Sequence, residues 1–462
     1  MHFQKFLLAA SCVAGSLAFP AHHLQEIEKR GLLSGLLDLT SGLLQTIEHD
    51  LEGVLEALDP FENKAVDVSG KHAFQPPTSE DLRGPCPGLN AMANHGYIHR
   101  SGHVGLIESV AAMHQVFNMG IELALVLAIM GVVWTGNPIS LDPSFSIGGN
   151  STAVWNALDN LQGVLGTPQG IDHSHNFIEA DASPIRNDLY ATGDAWTMNM
   201  TRFEQLYNTV PAEEDFSFDV LAKWSADRWH ESVETNPYFY YGPFTGMIAR
   251  NAGFFFIGRL MANHTSGDNT EGKLSKPILM SHQRVTHTDL LKTAHNVLQS
   301  FFGVYNTTDG GLEYRPGHEQ IPENWYHTPV DYGLVQLNVD TLAMIAQYPE
   351  LGSIGVNVGS VNSFTGVDLD DILGGVINAG QLLEGNNLLC FVMQVVKMAS
   401  PNYLSNIYKT LEAPLDLIQQ IVKIPLLSLD CPVWDDLTMG GEPLWDALQN
   451  KFPGAKKSSG CL

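Results

Sequence analysis

Cys86 sits between two prolines in the run Gly84-Pro85-Cys86-Pro87-Gly88-Leu89-Asn90-Ala91-Met92-Ala93-Asn94-His95-Gly96-Tyr97. This run constrains the chain more than any other. Pro87 suits the first position of a helix, where its missing N–H costs nothing. Gly96 suits the left-handed position that ends one. Cys86 is therefore predicted at the N-terminal mouth of a short helix. The first-turn amides there are unsatisfied donors, and the helix dipole favours an anion. Both are expected to lower the thiol pKa and favour the thiolate, the form that binds metals.

The other cysteines set Cys86 apart. Cys12 falls in an N-terminal apolar stretch, and Cys390, Cys431 and Cys461 cluster near the C-terminus. Lys5 precedes the stretch from Phe6 to Leu17, and Ser16-Leu17-Ala18 has the form of a signal-peptidase site. Residues 1–18 thus read as a signal peptide, too short to anchor in a bilayer. Secretion to the extracellular space follows, and an isolated thiol in an oxidising compartment should pair or be employed. Four Asn-x-Ser/Thr sequons, at Asn150, Asn199, Asn263 and Asn306, make glycosylation an expectation. The dibasic Lys29-Arg30 is either a processing site or an exposed charged pair.

Acids outnumber bases 50 to 24 in 462 residues, a formal charge of −26. A polyanion of this kind repels phosphate backbones and anionic headgroups, so neither nucleic acid nor membrane is an expected partner. The apolar run Leu123 to Trp134 is too short to span a bilayer and reads as a buried core helix. Residues 19–65 contain a leucine-rich amphipathic stretch, either a pro-segment or an N-terminal packing helix. Residues 66–345 read as one large, mainly α-helical domain. The leucines and phenylalanines from Leu290 to Phe302 form one helical stripe, and Val154 to Leu165 another. Residues 350–372, rich in Gly, Val, Ser and Asn, suggest a hairpin or linker. Residues 346–462 otherwise read as a helical C-terminal extension with a frayed tail.

The extended run around Cys86 resembles the proximal ligand motif of heme-thiolate peroxidases, the family of chloroperoxidases and peroxygenases. The resemblance spans roughly residues 70–450 and includes Pro316-Gly317-His318-Glu319 and Ile321-Pro322-Glu323-Asn324-Trp325. It implies heme b with Cys86 as axial iron ligand, and peroxide-driven oxidation, halogenation or oxygen transfer to a small organic substrate. A thiolate ligand of this kind pushes electron density to the opposite face and favours O–O cleavage. The resemblance also implies a disulfide between Cys390 and Cys431.

A second motif supports it. Residues 175–188 run from His175 through Glu179-Ala180-Asp181-Ala182-Ser183 to Arg186 and Asp188. The family carries Glu-His-Asp or Glu-Gly-Asp here, then Ser and Arg; Ala180 departs from that pattern. The implied role is a divalent cation site, usually magnesium, beside a heme propionate. Its ligands would be the Glu179 carboxylate, the Ala180 backbone carbonyl and the Ser183 hydroxyl. Hard oxygen donors of this kind suit magnesium. His173 and His175, with Asp172, lack the spacing of a catalytic metal site.

The distal side departs further. Long family members carry an Arg and a Glu seven residues apart on a helix over the heme, and the Glu shuttles the peroxide proton. Here no Asp or Glu occurs from Thr235 to Gly267. The register places Phe244 near the usual Arg and Asn251 near the usual Glu, to within one or two residues. Arg250, His175 and Asp181 are the other distal candidates, while His264 is expected to face solvent beside the Asn263 sequon. The aromatic cluster in this segment is core packing or the lining of an apolar substrate pocket. The sequence thus predicts a peroxide-using heme enzyme with a proximal half and no evident distal base. A heme-binding protein of little activity is the competing reading. A hydrolase is disfavoured, since neither a Gly-x-Ser-x-Gly elbow nor a His-Glu-x-x-His helix is present.

Overall fold

In the computed structural model the described residues are 64–136, 143–151, 154, 170–173, 179–210, 216–242, 245–264, 297–366, 438–439 and 442–443. Helices dominate them, and the strands are two or three residues long. The N-terminal stretch, Cys390, Cys431, Cys461, His175, Phe244 and most of the C-terminal extension lie outside the described residues.

Helix α1, Pro87–Asn94, starts on Pro87 with Cys86 as its N-cap, as the proline spacing predicts. Gly96 takes φ +66° just beyond its end. A short strand, β1 (His103–Gly105), leads into α2, Leu106–Phe117. The Glu108 side chain accepts from the Gly105 N–H at 3.2 Å and the His99 N–H at 2.7 Å, satisfying donors at the start of α2. Asn118, in the left-handed conformation, ends it. Helix α3, Ile121–Met130, is apolar apart from Glu122 and packs against α2. Leu123, Ala124, Leu125 and Val126 are buried, so this run is a core helix as its length implies. Among the described residues, no helix is long and apolar enough to cross a membrane. A wide π-helical turn, Gly131–Thr135, continues α3 before β2, Ser144–Ser146, pairs antiparallel with β1.

Further along come α4 (Leu189–Thr192), α5 (Met200–Tyr207) and the long α6 (Phe218–Thr235). Ser217 caps α6 and Asn199 caps α5 through their side-chain oxygens. After β3, Tyr240–Tyr241, a second π-helical segment, Thr245–Arg250, runs directly into α7, Asn251–Arg259. Helix α8, Val297–Phe301, matches the end of the predicted Leu290–Phe302 stripe. It is followed by the β4–β5 hairpin (Val304–Asn306, Leu312–Tyr314).

Helix α9, Leu334–Gln347, runs through the expected boundary at residue 345. Beyond it, β6 (Gly355–Asn357) and β7 (Phe364–Gly366) form a hairpin, the first of the two readings of 350–372, a hairpin or a linker. That hairpin also pairs with β3 in an antiparallel three-stranded sheet, with Tyr240 opposite Val356. Phe364 packs edge-on to Trp229 of α6 at 4.8 Å between ring centroids. Periodicity along one segment carries no signal for this pairing. Beyond residue 366 the described residues are the two-residue pair β8 (Thr438–Met439) with β9 (Glu442–Pro443).

Candidate active site

The loop before α1 is fixed by buried polar groups. Asn90 donates to the Gly84 carbonyl at 2.9 Å and accepts from the Gly84 N–H at 3.0 Å. Gly84 must be glycine: a Cβ there would collide with the Ile147 carbonyl and lie 2.6 Å from Asp172 Oδ1. One turn on, Asn94 accepts from Arg83 Nε at 2.9 Å and donates to the carbonyls of Gly317 and Glu319 at 2.7 and 2.8 Å. His95 is buried, with its pKa pushed down to about 4 mainly by desolvation. A neutral ring fits its contacts, with Nδ1–H donating to the His72 carbonyl at 2.7 Å and Nε2 accepting from Ile321 N–H at 3.1 Å.

Cys86 is therefore held in place, but its thiol is not made acidic. Burial pushes its pKa up, outweighing the amides of Leu89 and Gly88 and the Arg186 cation, which pull it down. This corrects the expectation drawn from the helix mouth. The amides do reach the sulfur, yet desolvation of an anion is the larger effect. A bound metal ion reverses that balance, because a coordinating thiol loses its proton outright.

Cys86 opens onto a cavity of about 300 Å³ whose wall is mostly apolar. Phe117, Leu123, Phe145 and Met261 contribute to it, and so do Glu179, Ala180, Ser183, Arg186 and Arg250. The cavity thus joins Cys86 to the three oxygen donors expected of a cation site almost a hundred residues later. A soft sulfur on one wall, apolar sides and the Arg186 cation fit a flat iron porphyrin carrying carboxylates.

The 179–186 loop is clamped from outside. Arg250 Nε donates to the Ala182 carbonyl at 2.9 Å and Arg228 Nε to the Ser183 carbonyl at 3.0 Å. The Trp224 indole N–H donates to the Pro184 carbonyl at 2.8 Å. Asp188 accepts from the Ala182 N–H at 2.8 Å, and Asp181 from the Tyr240 N–H at 3.0 Å. Ala182 adopts φ +59°, a left-handed conformation unusual for alanine, and these bonds hold it there. Ser183 Oγ accepts from Arg186 N–H at 3.0 Å. The Ala180 carbonyl makes no hydrogen bond among the described residues, so it is open to a further partner.

On the distal wall Asn251 itself does not line the cavity, although residues within one or two positions of it do. Asn251 is fully buried and faces inward to protein: its Oδ1 accepts from the Tyr241 hydroxyl at 3.2 Å and Arg250 Nη1 at 2.9 Å, and its Nδ2 donates to the Met247 carbonyl at 3.0 Å. The cavity is lined instead by Ala249, Ala252, Gly253, Phe256, Ile257 and Leu260. Arg250, Ala252 and Gly253, within one or two positions of Asn251, thus reach the cavity. Arg250 does reach the cavity, but its donors serve Ala182, Ser225 and Asn251, and its guanidinium lies over Phe254 at 4.5 Å. Burial lowers its pKa to about 10, so it remains a cation near neutrality. Asp181 is buried behind the loop rather than on the wall, and Phe244 and His175 lie outside the described residues.

His264, expected at the surface, is buried. Its N–H donates to the Tyr326 carbonyl at 3.0 Å, and its neighbour Asn263 accepts from Tyr326 N–H at 2.9 Å. The chain is stitched down there, which the nearby sequon does not convey. Among the sequons, Asn150 and Asn306 are exposed, whereas Asn199 and Asn263 are partly buried. Sequence reasoning also missed two buried carboxylates, Asp172 and Glu319, each raised to about 7 mainly by desolvation. Glu319 lay within a noted motif, but nothing in that motif marks it as buried.

Comparison with known proteins identifies the family. The profile of the family described as "Peroxidase, family 2" matches residues 72–330. An aromatic peroxidase of Fusarium equiseti is 47% identical over 461 residues, 99% of each chain. A dothistromin biosynthesis peroxidase of Dothistroma septosporum is 38% identical over 344 residues, 74% of this chain and 76% of that one. An aromatic peroxygenase of Coprinellus radians is 32% identical over 173 residues, 36% of this chain and 62% of its own.

Proposed function

The chain belongs to peroxidase family 2, the heme-thiolate peroxidases, and from that premise we propose that Cys86 is the iron ligand of an enzyme oxidising aromatic substrates. The protein is a peroxide-dependent oxidoreductase of this family, and heme is its prosthetic group. The observation that carries the Cys86 assignment is its position at the mouth of α1, on the wall of an apolar cavity shared with Glu179, Ala180 and Ser183. When bound, heme supplies the oxidising chemistry driven by peroxide. The residues of the chain supply the rest.

The Gly88 and Leu89 amides and Arg186 stabilise negative charge on the Cys86 sulfur. Asn90 and Gly84 fix the sulfur's position, and the apolar wall excludes water from around an organic substrate. Glu179, the Ala180 carbonyl and Ser183 would hold a magnesium ion, with Arg228, Arg250 and Trp224 keeping that loop in shape. The aromatic substrate class is suggested by the names of the relatives and by the apolar wall. We further propose that the chain is secreted, glycosylated at the exposed Asn150 and Asn306, and bridged between Cys390 and Cys431.

The reduced, carbon monoxide-bound absorption spectrum tests the central assignment: a strongly red-shifted Soret band is expected, and its absence would overturn thiolate ligation. Metal analysis tests the cation loop. Glu179→Gln should purify with less magnesium than the unmodified protein, and equal content would remove Glu179 from the ligand set.

A further inference from the structure

Resting on the reading of Cys86 as iron ligand, we propose that Glu319 is a positioning residue, a buried proximal charge that sets how strongly the sulfur donates electrons. Glu319 does not line the cavity. It lies behind α1, on the segment bound to that helix through Asn94 Nδ2 to its own carbonyl at 2.8 Å and through Ile321 N–H to His95. Its side chain is buried, and Oε2 meets no hydrogen-bond donor among the described residues. A half-satisfied buried carboxylate costs stability. Packing alone would be served as well by glutamine.

Arg83 and Arg186 lower the pKa of Glu319, as do the Asn90 side chain and its own backbone N–H, while burial raises it. Tyr314 and Tyr305 are the phenols that feel its charge, and both are pushed up mainly by burial. Through space the Glu319 charge also raises the Cys86 pKa, a smaller influence than burial or the nearby amides, whereas Arg186 on the cavity wall lowers it. The sulfur thus feels a cation on the cavity wall and a carboxylate behind α1. A negative charge behind a thiolate makes the sulfur a stronger donor and stabilises the oxidised iron relative to the reduced. The charge is present at pH 8, above the value of about 7 to which burial raises the carboxyl.

The test is the midpoint reduction potential of the purified holoenzyme at pH 8, followed by its absorption spectrum. Glu319→Gln, which keeps the shape and removes the charge, should shift the potential to more positive values. Glu319→Asp, which keeps the charge, should stay closer to the unmodified protein, and Glu313→Gln, an exposed change in β5, should leave it unmoved. An unchanged potential in Glu319→Gln, or equal shifts in the Gln and Asp variants, overturns the proposal. If the unmodified protein lacks the thiolate spectrum, the Cys86 reading fails instead, so the two failures are distinguishable. Should Glu319→Gln bind no heme, the thiol of the unloaded protein is titrated. Cys86 should then be more acidic in the Gln than in the Asp variant, and equal acidity overturns the proposal.

Discussion

The proximal loop and the distal helix face the same cavity but are built by opposite means. Around Cys86 the chain is fixed by polar side chains with defined partners: Asn90 on Gly84, Asn94 on Arg83 and the 317–319 backbone, His95 between His72 and Ile321. Across the cavity, α7 presents Ala252, Gly253, Phe256 and Ile257, and the buried polar groups of this region, Arg250 and Asn251, are spent on one another and on backbone. A directional network holds one atom to a fraction of an ångström. An apolar wall holds a shape. The protein has invested in placing a ligand on one side and in accommodating a substrate on the other, with no distal carboxylate on the described part of α7.

The largest effect expected on this contrast is at Cys86. Cys86→Ala should abolish the thiolate spectrum altogether, and survival of the unmodified spectrum would dissolve the distinction between the two walls. Gly84→Ala comes next. The new Cβ meets backbone that cannot move aside, so a loss of about 3 kcal/mol or more in unfolding stability is expected, with loss of heme retention. Chemical denaturation measures it, and a neutral outcome would show the proximal loop to be softer than its hydrogen bonds imply.

On the distal side the contrast can be sharpened by adding what is missing. An ideal Cβ at Gly253 meets nothing within 4 Å, and the residue lines the cavity. Gly253→Glu should therefore speed the reaction with hydrogen peroxide by ~100-fold, the scale of a positioned acid–base group. Asn251→Glu, set among Tyr241, Arg250 and the Met247 carbonyl, should give no such gain. Stopped-flow mixing with peroxide compares them. A faster Asn251→Glu would restore the register read from the sequence, and fast reaction in the unmodified protein would mean that another residue moves the proton.

The smallest effect concerns pH and stability. The Glu319 carboxyl is raised to about 7 in the folded protein from an ordinary value of 4.5. A raised carboxylate stabilises the fold fully below the unfolded value and loses that contribution as pH climbs through the folded one. Between pH 5 and pH 8 the unmodified protein should lose about 2 kcal/mol that Glu319→Gln retains. Urea unfolding at both pH values checks it, and parallel pH profiles for the two proteins would place the carboxylate in a wetter setting.

Much of the proximal half was legible because it is local. Pro85, Cys86, Pro87 and Gly96 lie within twelve residues, and the helix they delimit forms where their backbone preferences put it. The core nature of α3 was equally legible, since an apolar run too short for a bilayer has few other places to go. The Cys86 pKa was misjudged because dipoles and amides are local, whereas burial is produced by the whole fold. That Asn251 itself is turned from the cavity, while its neighbours Arg250, Ala252 and Gly253 line it, was not legible for a related reason: side chains from Tyr241 and Arg250 claim the amide.

What the sequence by itself determined is therefore the chemistry available: a thiol at a helix mouth, a Glu-Ala-Asp-x-Ser run with oxygen donors, and a distal segment without acids. Tertiary structure alone decided which of these groups meet. It brought Glu179, Ala180 and Ser183 onto the cavity of Cys86, turned Asp181 and Asn251 away from it, and buried Glu319 behind α1. The physical reason is range. Backbone propensity and helix termini act over a few residues, whereas burial, hydrogen-bond partners and charge neighbours come from segments separated by up to hundreds of positions.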